Sequence, residues 1–362
     1  MNLMFRIDHS RLWPGVPIAL ASAALFGAST PLSKLMLGGT DPQLLAGMLY
    51  LGAGLGLAIV HVIRTAVGLP ASEAPLRQPD IPWLAAIIFF GGILGPLLLM
   101  LGLAKTDAAS GALLLNLEGL ATMAIAWLAF HENVDRRLLL GALAILAGAS
   151  LLSWNGVGST LHSGAILIAG ACLAWGIDNN LTRKLSSADP VLIAMTKGLV
   201  AGAINFSFAV VLRGAALPTA GTMAVAAFVG LLGIGVSLVL FIFALRHLGT
   251  ARTGAYFSLA PFIGAVIAIA LLHDPLTLTL MVSGTLMAFG LWIHLAEQHD
   301  HEHAHEEFEH EHSHTHDAHH QHPHDEPVPA PHSHWHGHAP LVHTHAHYPD
   351  LHHRHRHRQT PE

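Results

Sequence analysis

The chain has 362 residues, of which 52% are hydrophobic and 11% charged, and its mean hydropathy is +0.51. A soluble domain is about a quarter charged, so a soluble enzyme or scaffold fits poorly, and no basic stripe with interleaved aromatics points to nucleic acid. The net charge of −6 is uneven: residues 1–297 hold 14 Lys/Arg against 12 Asp/Glu, whereas 298–362 hold 3 Arg against 11 Asp/Glu together with 23 of the 30 histidines. The single cysteine, Cys172, sits in an apolar run, so it forms no intrachain disulfide and reads as a packing residue.

Spanning the hydrocarbon as a helix takes about 20 mostly apolar residues. Ten stretches qualify, at 16–37, 43–64, 83–104, 107–129, 136–154, 163–183, 190–212, 222–245, 250–272 and 276–296. The first follows Arg6 and Arg11 as a signal peptide would, but it is too long for an h-region and nine more spans follow, so it reads as a retained helix. Connections are short and often hold Gly or Pro, as at Gly38-Gly39, Asp41-Pro42, Asp189-Pro190 and Asp274-Pro275; the linker 65–82 is the longest in the body. An N-terminus placed inside gathers Arg6, Arg11, Arg64, Arg77, Arg136, Arg137, Arg183, Lys184, Arg246 and Arg252 on the inner side. Only Lys105 and Arg213 fall outside. That bias places both termini in the cytoplasm, and the expected location is a bacterial inner membrane.

The body repeats itself. Residues 102–132 return in altered form at 244–274, Phe26-Gly27 returns as Trp175-Gly176, and Asp41-Pro42 as Asp189-Pro190, with offsets between 142 and 150 residues. The predicted units are 1–154 and 155–297, each with five spans. Five is odd, so the second unit enters the membrane upside down, the ground plan of many secondary transporters. The expected fold is therefore an all-α membrane protein, ten transmembrane helices in two inverted five-helix repeats, followed by a disordered tail over 298–362. Small residues at Gly52 and Gly56, at Gly91, Gly92 and Gly95, and at Gly230, Gly233 and Gly235 suit close helix packing.

The segments 109–132 and 254–274 share a run of small residues, a centre like L-x-P, and an acidic residue closing the helix. With Phe26-Gly27 to Lys34 and Trp175-Gly176 to Lys184, they make the chain resemble the drug/metabolite transporter superfamily, EamA type, over roughly 14–297. The resemblance implies a transporter for amino acids, nucleosides, sugars, drugs or other metabolites without choosing among them. Where that family often has Pro after the Glu of the fourth helix this chain has Gly119, so the kink is expected at Pro261.

Charges deep in a bilayer cost several kcal/mol and are functional candidates by default. Glu118, with Asn116 beside it, lies mid-span, either as a proton- or cation-sensitive cavity group or as an acid hydrogen-bonded to a neighbouring helix. Asp178, Asn179 and Asn180 mark either an unwound, water-lined stretch or the wet cytoplasmic end of a helix. Lys34 near a helix end suits snorkelling, whereas Lys197 is placed toward the cavity. A carboxylate and a lysine on different helices suit a zwitterion such as an amino acid. Pro31, Pro96 and Pro261 bend their helices, as hinges or as static kinks. The candidate substrate-binding set is Lys34, Asn116, Glu118, Asp178, Asn179, Lys197 and Pro261.

In the tail, H-x-H runs place His299, His301, His303 and His305, then His310, His312, His314 and His316, then His332, His334, His336 and His338 at alternate positions. Imidazole is the commonest protein ligand for Zn, Ni, Co and Cu(II), and alternate residues of an extended strand point the same way. The tail is therefore expected to bind divalent metal ions, with no cofactor required by the body.

No G-x-x-x-x-G-K-[ST] motif and no hydrolytic constellation occurs, so an enzyme is not expected and transport draws on a gradient. The reading is a small-solute exporter working by alternating access in the lipid bilayer. Two alternatives stand beside it: a Ni, Co or Zn exporter fed or regulated by the tail, and a membrane-anchored metal buffer or sensor that does not transport. A homodimer stays open.

Overall fold

A computed structural model describes residues 14–67, 76, 78–130, 136–154, 163–182, 185, 189–248 and 250–295, and the backbone of 299–305, 308–314, 332–338 and 341–347. Arg6, Arg11, Arg77, Arg183, Lys184 and His316 lie outside these residues, as do the expected junctions at 155 and 298.

Among the described residues the body is built of helices. Helix α1 is Gly15–Leu37 and α2 is Pro42–Ala66. Asp41 caps α2, its Oδ1 accepting from Gln43 N (2.9 Å) and Leu44 N (3.1 Å). Pro42 follows in the first turn, where a missing N–H leaves nothing unpaired. Helix α3, Gln78–Leu103, contains a π-helical stretch, Ile88–Leu94. Helix α4 comes in two pieces, Ala108–Leu114 and Leu117–Phe130. Helix α5 is Arg136–Leu152 and α6 is Ser163–Thr182. Helix α7 starts at Pro190, capped by Asp189 Oδ1 on Val191 N (2.8 Å), and ends in a π turn, Phe208–Leu212. Helix α8 joins Ala220–Gly230 to Ser237–Leu248 through a second π stretch at Leu231–Val236. Helix α9 is again in two pieces, Thr250–Phe257 and Ala260–Leu272, and α10 is Leu278–Leu295.

Among the described residues, seven helices (α1 to α4 and α6 to α8) are long and apolar enough to cross a membrane; three shorter apolar helices cover Arg137–Leu152, Ala260–Leu272 and Leu278–Ile293. The sequence pattern gave ten stretches of near-equal length. Of these, α9 falls short because it is broken at Ser258–Leu259, and it closes at His273, which adopts a left-handed φ of 57°, with Pro275 two residues later. A left-handed residue ends a helix by turning the chain away from it.

Packing pairs α2 with α7 and α5 with α10, while α1 lies against α8 and α9 and α6 lies against α3 and α4. Leu44, Leu45, Leu103, Leu114, Ile168 and Met287 are fully buried. Backbones approach closely at Gly54 and Gly198, where a Cβ on Gly198 would sit 2.7 Å from Gly54 N. Without a hydrophobic drive between helices in lipid, such contact is what holds them together. Ile59, Val62, Leu128, Val211, Phe228 and Trp292 are exposed. An apolar patch of that extent is a liability in water and a matched surface in hydrocarbon.

Four strands, β1 His299–His305, β2 Phe308–His314, β3 His332–His338 and β4 Leu341–His347, form two antiparallel pairs, β1 with β4 and β2 with β3. The physical reason is the alternation itself, since H-x-H has the two-residue period of a strand. The register sets His301 opposite His345 and His303 opposite His343 in one pair, and His310 opposite His336 and His312 opposite His334 in the other.

Candidate functional site

The interruption in α4 positions the acid. Leu115 N and Asn116 N bond three residues back, to Ala112 O and Leu113 O (both 3.1 Å), and the helix restarts at Leu117 with Glu118 in its first turn. A carboxylate there sits at the positive end of a half-helix. Asn116 Nδ2 donates to Leu113 O (2.8 Å) and lies 3.9 Å from Met287 Sδ. Its amide thus holds the broken end and α10 rather than joining Glu118. Helix α9 breaks at Ser258–Leu259 and restarts with Pro261 in the first turn of its second piece. The expected kink at Pro261 is therefore a full restart. The break in α4, which Gly119 gave no reason to expect, falls just before Glu118 and needs no proline.

Glu118 meets α6. Its Oε1 accepts from Asn179 Nδ2 (3.0 Å), which also reaches Thr122 Oγ1 (3.2 Å). Asn180 Nδ2 donates to Thr122 O (3.0 Å) and Gly176 O (2.8 Å). Helix α6 stays regular through Thr182, which corrects the unwound reading of residues 178–180. Asp178 and Asn180 are buried, so this is not a wet helix end either. Asp178 Oδ2 takes Lys197 Nζ of α7 at 2.5 Å, and Thr182 Oγ1 donates to its other oxygen (3.4 Å). Glu118 has no cation at ion-pair distance among the described residues.

The π stretch of α3 completes the cluster. Gly91 O accepts from both Tyr50 OH (2.9 Å) and Trp175 Nε1 (3.0 Å), and Asn205 Nδ2 donates to Gly92 O (3.4 Å) and Ile93 O (3.3 Å). Extra-residue turns of this kind recur at functional sites. Gly91 must be glycine for space: a Cβ there would collide with the Asp178 carboxylate and lie 2.5 Å from Lys197 Nζ.

Lys34 goes elsewhere. Its Nζ donates to Leu103 O (2.7 Å), the negative end of α3. Of the sequence candidates, the structure gathers Glu118, Asp178, Asn179 and Lys197, and leaves Lys34, Asn116 and Pro261 at helix ends and breaks. Sequence reasoning missed Tyr50, Thr122 and Asn205 and treated Trp175 only as a repeat marker. The available signal was a polar group isolated inside an apolar run.

The counterpart positions in the other half hold no charge. The offsets that match Glu118, Asp178 and Lys197 lead to Ala260, Ser29 and Leu49. Phe257, beside the α9 break, packs instead against Phe26 (5.3 Å between ring centres) and Phe241 (4.9 Å). Among the described residues no group of three His, Cys, Asp or Glu is placed to hold a metal ion.

The model of one family, EamA-like transporter, matches the chain twice, over residues 13–154 and 162–296. The chain belongs to the EamA-like transporter family. It is accordingly a multi-pass membrane transporter and not an enzyme. A relative from Methanothermobacter thermautotrophicus, named an uncharacterized transporter, is 29% identical over 297 residues, covering 78% of this chain and 86% of its own length. The uncharacterized transporter YvbV of Bacillus subtilis is 27% identical over 266 residues, covering 71% and 83%; YyaM of the same organism is 23% identical over 287 residues, covering 75% and 91%. One solved crystal structure shares the fold with a TM-score of 0.58 at 17% identity, covering 77% of this chain and 95% of its own.

Proposed function

We propose that this EamA-type protein is a ten-span secondary carrier that exports a small solute by alternating access between two inverted halves. The observation that carries this reading is the pair of broken helices. Interrupted spans at corresponding positions of two halves are the best pointer to a transporter's binding site, and α4 and α9 break at residues 115–116 and 258–259. Packing supports it too. Gly27 of α1 sits against Ala260 of α9, and Gly176 of α6 sits against Ala121 and Thr122 of α4. Each half thus lends its first helix to the other half's broken one. The charge bias favours cytoplasmic termini in a bacterial inner membrane.

Inversion has a direct test. In a Cys172→Ala background, a membrane-impermeant maleimide added to whole cells should label Gly39→Cys and leave Ser187→Cys untouched until the cells are opened. Labelling of both from outside would mean the halves are oriented alike.

The tail supports a separable proposal, binding of Zn, Ni, Co or Cu(II) by histidines that the strand register places across from one another. Protein ending at residue 297 should bind at least severalfold less Zn in equilibrium dialysis while keeping solute flux. If the shortened protein instead loses Ni, Co or Zn export that the full chain shows, the metal-exporter alternative replaces solute export. If it matches the full chain in Zn bound, the tail has no metal role.

A further inference from the structure

Which cargo the buried cluster accepts follows from counting its donors and acceptors. Each side-chain donor group in it already has a protein oxygen as partner: Tyr50 and Trp175 have Gly91 O, Asn179 has Glu118, Asn180 has Thr122 O and Gly176 O, Lys197 has Asp178, and Asn205 has the carbonyls of Gly92 and Ile93. The buried side-chain atoms of the cluster that have no partner are both acceptors. Asn180 Oδ1 and Asn205 Oδ1 are buried with no partner, in residues only 3% and 0% exposed. Each of these amides donates to two backbone carbonyls, a role only its NH2 end can fill, so the unpaired atom is the oxygen in both. The Asn180 amide meets α4 at Thr122 O, the same residue whose Oγ1 accepts from Asn179, so it lies at the α4–α6 contact that also holds the Glu118–Asn179 bond.

The charges lean the same way. Asp178 and Lys197 neutralise each other at 2.5 Å, and Glu118 is held only by a neutral amide. A buried polar group without a partner and a carboxylate without a cation are both costly in a medium that excludes water. The complement of such a site is a positive charge that brings its own N–H groups. With Lys197 committed to Asp178, no free cation awaits a substrate carboxylate, so an amino-acid zwitterion is a poorer match.

We propose that the cargo is an organic ammonium or guanidinium cation, its charge met by Glu118 and its N–H groups accepted by Asn180 Oδ1. This rests on the transporter reading for the site's access to solvent, but its test is a binding measurement that needs no flux.

Purified full-length protein in detergent is titrated by calorimetry with putrescine, agmatine and phenethylamine, and with leucine, lactate and tetramethylammonium for contrast. At least one N–H cation should bind, and its dissociation constant should rise at least tenfold in Glu118→Gln and severalfold in Asn180→Leu. Tetramethylammonium, equal in charge but without N–H, should bind at least tenfold more weakly. Leucine or lactate binding in preference to all three amines would overturn the proposal, as would amine binding unchanged in Glu118→Gln. Amines that bind as expected yet do not cross proteoliposomes would instead count against transport and leave the ligand assignment standing.

Discussion

Glu118→Gln protein reaches the membrane at normal levels and unfolds at nearly the normal temperature, yet its solute flux in proteoliposomes falls about tenfold to a hundredfold. The substitution keeps the shape of the side chain and its bond from Asn179 Nδ2 (3.0 Å), so the α4–α6 contact survives. It removes the one carboxylate of the cluster that no cation neutralises. A hydrogen bond to a charged group contributes about 1.5–3 kcal/mol, and each 1.4 kcal/mol is a factor of about ten. Wild-type flux in Glu118→Gln would remove this carboxylate from the transport path.

Lys197→Met produces the opposite pattern, a loss of stability. Its ammonium faces Asp178 at 2.5 Å, and the two side chains are only 16% and 7% exposed. Breaking a buried pair from one side leaves the other charge uncompensated and costs about 3–5 kcal/mol, whereas replacing both partners is often neutral. Unfolding in detergent should therefore show Lys197→Met strongly destabilised and the double variant Lys197→Met/Asp178→Asn largely restored. A double variant as weak as the single one would mean that Lys197 acts through something other than Asp178. Together the two experiments separate a role in flux from a role in stability.

Much of this was legible in the sequence. The tandem offset, the apolar runs and the two Asp-Pro caps are local signals, and the helices start where those caps stand. Glu118 stood out because an acid mid-span has few reasons to be there. The partner of Lys197 was not legible, since Asp178 lies on another helix and only tertiary packing brings them together. The break at Leu115–Asn116 was equally hidden. The chain has no proline there, and the turn is closed by backbone bonds and the Asn116 amide, which no propensity scale records. The tail's alternation was read for its ligands, while its low apolar content argued against structure; the same period is what pairs β1 with β4 and β2 with β3.

The glycines at 91, 92 and 95 and at 230, 233 and 235 announced close packing but not the wide turns in and beside which they stand. Such a turn has a mechanical consequence. One residue of an α-helix corresponds to about 100° of rotation, so a wide turn gives the two ends of α3 different angular phases. Tightening Ile88–Leu94 to ordinary α geometry would swivel one end against the other with almost no sideways travel and draw the Gly91 carbonyl away from Tyr50 and Trp175. Leu231–Val236 places a wide turn of the same kind halfway along α8, so one rod in each half changes angular phase at its midpoint.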